Sequence, residues 1–409
     1  MVWRRQLGTS IGRPERLARR DGLVTSPVSS EARQGEIHRN AGEGIPISFW
    51  LCENIAMASR LSTLRWRAAV CAGLLALGPA APPVAAQDYA QSGFSSYLQH
   101  LAARARGAGA SEAAIASVTS GLTFNPRVIE LDRAQPGNPT APTSSAFMAF
   151  EPYRRTHVDA QRIAAGRRQY AMLSGQVGWL EQRYGVPASI ILAIWGHETN
   201  FGRYMGDFDL PRSLASLAYE GRRRELFTDE FVALVKMVDR GVPRDRLKGS
   251  WAGAFGNPQF LPSVYLRVAA DGNGDGRADI WGSPADTVAS IGNYLHDAGW
   301  RRGQPWGLAV DVPSGLDRRA LGSSLVSPRC SAVHGRHSEW KTMREWRALG
   351  VVARSGNWPG DDVLATLLEP DGEGRTAYLL TGNYRVILDY NCSNYYALSV
   401  GLLANAIVW

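Results

Sequence analysis

The sequence predicts a mainly α (α+β) fold, with a helical core, an N-terminal helical segment and a small late β insertion. Three observations carry that expectation. Apolar residues recur at helical spacing from Ser92 to about Thr123 and again from Phe147 to about Gly241; beyond Trp306 the period shortens; and an apolar helix, Tyr395 to Val408, closes the chain. With 409 residues, 45% of them hydrophobic, the chain can bury a large core.

The N-terminus reads as a targeting segment. Residues 1–56 are Arg-rich, polar and aperiodic, and are expected to be a non-native or disordered leader. A signal peptide is expected over 57–86. Arg60, Arg65 and Arg67 form its positive region, Ala68 to Leu77 its apolar run, and Val84-Ala85-Ala86 its small-residue cleavage site. The run is too short for a membrane span, and Cys71 precedes most of it, so no lipid attachment site is expected. Export to the periplasm follows. Most of the formal charge of +8 belongs to this stretch, where 11 arginines face 6 acidic residues. The remainder is near neutral and has no basic stripe interleaved with aromatics, which argues against nucleic acid as a partner. Cys52 and Cys71 would leave with the leader. Cys330 and Cys392 would then either pair, as an oxidising compartment allows, or stay separate as buried thiols.

The remaining elements follow in order. Residues 87–311 are expected to hold the helical region and catalytic core. Between its two helical stretches, Asn125 to Ser145 reads as a loop, marked by Pro126, Pro136, Pro139 and Pro142. Val186-Pro187-Ala188-Ser189 starts a helix on which Ile191, Ile194, Trp195 and Glu198 share one face. The β insertion is expected over 312–389. Its short strands are Trp306 to Val312, which leads into it, then Val363 to Leu368, Thr376 to Leu380 and Tyr384 to Leu388, with a helix around Glu339 to Leu349. Residues 390–409 would complete the core.

Glu198 is the residue with chemistry to explain. On an apolar face its carboxyl is partly removed from water, which raises its pKa and suits it to protonating a glycosidic leaving oxygen. A solitary glutamate there would more simply be a structural acid held by a hydrogen bond or an arginine. His197-Glu198 also begins a look-alike of the zinc motif H-E-x-x-H, but position 201 is Phe, so a second ligand is missing and a zinc protease is rejected.

The surrounding blocks decide between these readings. Ile194-Trp195-Gly196-His197-Glu198-Thr199-Asn200-Phe201-Gly202, Arg212 to Tyr219, and Lys248 to Ser263 with its Trp251-Ala252-Gly253-Ala254-Phe255-Gly256-Asn257-Pro258-Gln259-Phe260 centre resemble the signatures of the lytic murein transglycosylase B family. The similarity keeps its order from about Phe147 to Ala404. It implies a lysozyme-like core with Glu198 as the single catalytic acid/base. Ser250, Gln259, Phe260, Tyr294, Tyr390, Asn391 and Tyr396 would line the substrate cleft. Aromatic faces and amide or hydroxyl groups there suit sugar rings and their polar substituents. Cys392 interrupts the Tyr390-Asn391-x-Ser393 segment where a larger polar residue is expected.

In that family the muramic acid's own 6-hydroxyl attacks C1, so the implied reaction cleaves MurNAc-β-1,4-GlcNAc bonds and leaves 1,6-anhydro ends, with peptidoglycan glycan strands as the partner. Asp207 and Asp209 are candidate second carboxylates for the alternative, a hydrolytic muramidase. A non-catalytic peptidoglycan-binding module is the other class, and the set Glu198, Ser250, Gln259 and Asn391 speaks against it.

One further motif concerns a metal. Asp271, Asn273 and Asp275, with Gly276 and the backbone carbonyl of Arg277, fit the opening of an EF-hand loop. Position 12 is Gly282 in place of the bidentate Glu, and Asp286 would close the site from the next helix, as the resemblance also implies. Structural Ca²⁺ is the expected cofactor, with no organic cofactor. The chain is expected to be a monomer, with cell-wall synthesis or division proteins as its partner class beyond the glycan.

Overall fold

A computed structural model describes residues 84–135, 149–324, 327 and 330–408. The expected leader, and the signal peptide except for Val84 to Ala86, lie outside them. The N-terminal segment begins with Val84–Gly107 (α1) and Glu112–Thr119 (α2). Pro126–Arg133 (α3) then occupies part of the expected loop. Pro126 sits in its first turn, where a missing N–H leaves no bond unmade, and the Asn125 side chain caps it by accepting from the Arg127 amide. Read as a breaker, this proline is a starter.

Helices Phe150–His157 (α4), Ala160–Met172 (α5), Ser174–Tyr184 (α6) and Ala188–Thr199 (α7) follow. Next come Phe208–Asp209 (β1), Leu210–Glu220 (α8), Arg224–Asp239 (α9), Lys248–Gly249 (β2), Pro262–Val268 (α10) and Pro284–Asp297 (α11). β1 and β2 form a two-residue antiparallel pair with Phe208 opposite Gly249.

The late insertion holds Gly307–Asp311 (β3), Ser331–His334 (α12), Lys341–Thr342 (β4), Met343–Ala348 (α13), Val352–Ala353 (β5), Leu364–Leu368 (β6) and Ala377–Leu380 (β7). Its sheet runs β4-β6-β7-β3-β5, antiparallel throughout, with Gly307 opposite Leu380. Val310, Met343, Trp346, Leu367 and Leu379 give it a small core of its own. The helix around Glu339 to Leu349 begins only after β4. Thr342 and Glu345 form its capping box, each side chain bonding the other's backbone amide.

Gly382–Tyr390 (α14) and Asn394–Val408 (α15) end the described chain. The strand expected over Tyr384 to Leu388 is therefore wrong. Thr381 caps α14, and Tyr384, Ile387 and Leu388 fall three and four residues apart, turned into the main core. A run of β-favouring residues yields to packing when a helical face has somewhere to bury itself. The cysteine question also closes: Cys330 and Cys392 form a disulfide, their Cα atoms 5.7 Å apart. It ties the insertion to the turn between α14 and α15.

α7 is the axis of the main core. The sequence suggests one apolar stripe, but residues 190–195 are apolar on every side and all of α7 except Ser189 is buried. A helix that is greasy all round belongs inside. It lies against α5, α11 and α15, and this enclosure is what places Glu198, near its C-terminal end, out of water.

Candidate active site

Glu198 is 3% exposed. Tyr396, in the first turn of α15, donates its hydroxyl hydrogen to Glu198 Oε1 at 2.7 Å. Oε2 is buried and has no hydrogen-bond partner. Burial pushes the carboxyl pKa up to about 8, and the bond from Tyr396 offsets part of that rise by favouring the anion. At neutral pH the group is thus a carboxylic acid. Its proton belongs on Oε2, because Oε1 is already accepting.

His197 stands behind this pair and is not a second acid. Burial holds it well below the ordinary histidine range, so it is neutral. Its Nδ1 lies 3.0 Å from the Ala193 carbonyl and its Nε2 2.8 Å from Ser399 Oγ, which suits Nδ1–H as donor and Nε2 as acceptor. The imidazole meets the Tyr396 ring edge to face, centroids 5.5 Å apart, and so steadies the tyrosine that holds Glu198.

After α7 the chain turns through Asn200, Phe201 and Gly202 with φ of 50°, 58° and 88°. Consecutive non-glycine residues in the left-handed region store strain, and such strain persists only where the surroundings hold it. Asn257 supplies much of the hold. Its Oδ1 accepts from Trp195 Nε1 at 2.8 Å, its carbonyl accepts from Thr199 Oγ1 at 3.1 Å, and its Nδ2 donates to the Trp281 carbonyl at 3.2 Å. Thr199 Oγ1 in turn accepts from the Gly202 amide. Sequence reasoning quoted Asn257 within a motif and gave it no role, since nothing local ties it to residues about sixty positions earlier.

The other expected site residues fall into separate groups. Ser250 Oγ accepts from the Ala254 amide at 3.0 Å and closes the turn after β2. Gln259, also left-handed, donates through Nε2 to the Gly256 and Met205 carbonyls at 2.9 and 3.2 Å, so it joins this loop to the one leaving α7. Phe260, Tyr294 and Tyr390 form an aromatic trio, with Tyr294 and Tyr390 centroids 4.7 Å apart. Tyr390 donates to the Pro258 carbonyl at 2.5 Å and Tyr294 to the Asp389 carbonyl at 2.8 Å. Tyr294 is half-buried; Phe260, Tyr390 and Asn391 are buried. Of these residues it is Tyr396 that is hydrogen-bonded to Glu198.

The candidate second carboxylates are elsewhere engaged or exposed. Asp209 caps α8 by accepting from the Arg212 amide and pairs with Arg244 Nη2 at 2.7 Å. Asp207 is exposed on the loop before it.

The acidic loop is wound by its own side chains. Asp271 accepts from the amides of Gly274, Asp275 and Gly276, Asn273 from that of Asp275, and Asp275 from that of Arg277. Asp286, fully buried in the first turn of α11, reaches back to accept from the amides of Gly272, Asn273 and Asp279. The oxygen-only donors suit a hard divalent cation in kind. Among the described residues, no three acidic, histidine or cysteine side chains gather closely enough to hold one in this arrangement.

With this geometry in view, known proteins provide the comparison. The family model described as a transglycosylase SLT domain matches residues 93–405. The chain belongs to this transglycosylase family. Membrane-bound lytic murein transglycosylase B of Escherichia coli (strain K12) is 30% identical over 281 residues, covering 68% of this chain and 72% of that protein. SltB3 from Pseudomonas aeruginosa, solved in complex with NAG-NAM-pentapeptide, is 36% identical with a TM-score of 0.68, covering 77% of this chain and 79% of its own. Escherichia coli Slt35, solved in complex with calcium, is 26% identical with a TM-score of 0.61, covering 78% of this chain and 93% of its own. The lysozyme-like transglycosylase core expected from the sequence is therefore the fold observed, and the matched region spans both α7 and α15, which supply Glu198 and Tyr396.

Proposed function

We infer that this chain is a peptidoglycan lytic transglycosylase that cleaves the MurNAc-β-1,4-GlcNAc bond and leaves a 1,6-anhydro-MurNAc end. The reading rests above all on Glu198, a buried carboxylic acid with one oxygen held by Tyr396 and the other without a partner. Glu198 Oε2 passes its proton to the glycosidic oxygen as the bond from that oxygen to C1 breaks. The carboxylate so formed is stabilised by the Tyr396 hydroxyl. The 6-hydroxyl of the same muramyl residue then bonds to C1 and returns its proton to Glu198, so one proton leaves and one comes back and no water is consumed. Asp209, occupied by Arg244 and the α8 cap, favours this over hydrolysis, which needs a second working carboxylate.

Ser250, Gln259 and Asn391 present polar groups along the strand, Tyr294 offers the ring face for a sugar, and Phe260 and Tyr390 back it from behind. Calcium, as a structural ion, would be held by Asp271, Asn273, Asp275, the Arg277 carbonyl and Asp286. It would brace the segment before α11, and it has no part in the proton steps. The substrate places the enzyme in the periplasm, in keeping with the expected signal peptide over 57–86. Among the described residues no helix is long and apolar enough to cross a membrane. Mass spectrometry of sacculi digested by the purified mature protein is the test. Anhydro-muramyl ends support the proposal, whereas reducing ends carrying oxygen from solvent water, or intact sacculi, overturn it.

A further inference from the structure

Tyr396 reaches Glu198 from the first turn of α15, and the β insertion grips that turn. Asn394, the first residue of α15, is buried, and both ends of its side-chain amide are engaged. Its Nδ2 donates to the Val333 carbonyl of α12 at 3.1 Å, and its Oδ1 lies 2.8 Å from Nε2 of His337, just beyond α12. A carbonyl can only accept, so the amide's orientation is fixed and Oδ1 is the acceptor for the imidazole. His337 therefore carries its proton on Nε2. Its Nδ1 is then an acceptor, and Thr366 Oγ1 of β6 supplies the hydrogen at 3.0 Å. Tyr384 of α14 donates its hydroxyl to the Asn394 carbonyl at 3.0 Å. The imidazole is buried, and that burial, with Arg336 nearby, pulls its pKa down to about 4. At neutral pH the chain from β6 to α15 is thus built of uncharged, directional bonds.

We propose that His337 is a positioning residue for the acid: acting through Asn394, it sets where the Tyr396 hydroxyl meets Glu198. Asn394 and Tyr396 stand two residues apart in one helical turn, about 3 Å along the axis, so they move together. The Tyr396 bond is 2.7 Å long. A shift of a few tenths of an ångström takes such a bond to the edge of the range of about 2.5–3.0 Å in which it is strong. The Cys330–Cys392 bond ties the chain two residues before Asn394, and a single tie is a pivot. The amide of Asn394 is the second point, which fixes the direction in which α15 enters the core. Besides burial, Tyr396 is the group that acts on the Glu198 carboxyl. Arg162 of α5 and His157 of α4 act on His197 instead, while on α11 Asp286 is turned to the acidic loop and His296 to the Tyr184 carbonyl of α6. The assignment rests on the transglycosylase reading of Glu198 and adds to it what holds the acid's partner in place.

The test is the alkaline limb of the pH profile for glycan-strand cleavage, which follows the Glu198 proton and not the amount of folded enzyme. His337→Phe fills the space without a donor and should move the limb upward by about half a pH unit, a fall of about threefold in the acid constant. His337→Gln, whose amide can still donate to Asn394, should keep the limb of the unmodified enzyme. In a Tyr396→Phe background His337→Phe should add no shift, because the bond it acts on is already gone. Asn394→Ala cuts the same link from the other side and carries the comparison where His337→Phe does not fold. A limb unmoved in both His337→Phe and Asn394→Ala overturns the assignment. So does a glutamine variant displaced as far as the phenylalanine one, or a further shift in the Tyr396→Phe background. Urea denaturation across the same pH range, each protein compared with its Glu198→Gln counterpart, should show the same displacement and needs no turnover. An unmodified enzyme that cleaves no glycan therefore overturns the transglycosylase reading, and the denaturation series still decides the role of His337.

Discussion

Replacing Glu198 by glutamine separates the site's chemistry from its electrostatic burden. The fold raises this carboxyl from an ordinary 4.5 to about 8, so the folded protein keeps a proton over a pH range in which the unfolded chain has lost it. The sign follows directly. The stability associated with this proton is complete below about pH 4.5, declines as pH rises, and is gone once pH passes the folded value of about 8. One proton per molecule gives a slope of about 1.4 kcal/mol per pH unit. Glutamine has no such slope. The stability of Glu198→Gln relative to the unmodified protein should therefore climb by about 3 kcal/mol between pH 4.5 and 7 and level off near 5 kcal/mol above pH 8. The amide also meets an empty Oε2 position, but that penalty does not vary with pH, so the slope isolates the burial effect. Urea denaturation of both proteins at about pH 5, 6, 7 and 8 measures it. A difference that stays flat across that range would refute the picture of a neutral, buried acid. Turnover should vanish in the same variant while glycan strands still bind; retained turnover removes Glu198 from the mechanism.

Three other outcomes are expected. Tyr396→Phe removes the hydrogen bond that favours the Glu198 anion, so the alkaline limb of the activity profile should move upward from about pH 8 by roughly one unit or more; a limb that holds its place argues against their contact. Replacing both Cys330 and Cys392 by serine frees a loop with a sequence separation of 62 and should lower unfolding free energy by about 4 kcal/mol, read by denaturant titration, and an unchanged midpoint contradicts it. Removing calcium with a chelator should lower the melting temperature and adding it back should restore it; if no restoration follows, the loop at Asp271 to Asp286 does not depend on the ion.

Much of the site was legible in the chain because its chemistry is local. The block from Ile194 to Gly202 carries its own burial, acid and turn, so Glu198 can be singled out as a candidate before any partner is known, and the neighbouring blocks favour the catalytic reading over a structural one. Sheet strands β3, β6 and β7 were visible for a similar reason, as short apolar runs bounded by turns. Errors arose where local preference met a distant surface. Pro126 reads as a breaker until Asn125 is seen capping a helix that begins on it. Tyr384 to Leu388 reads as a strand until its neighbours present a core three and four residues apart.

What the sequence determined by itself was the kind of fold, mainly helical with a late sheet, and which carboxyl to propose as the acid. Tertiary structure decided how that acid works, because its setting is assembled from the far end of the chain. Tyr396 comes from 198 positions away, Asn257 anchors the strained turn behind it, and the Cys330–Cys392 bond holds the β insertion against the turn between α14 and α15. Periodicity reports which residues prefer to leave water; which group then meets which is set by enclosure in three dimensions, and a pKa depends on that enclosure.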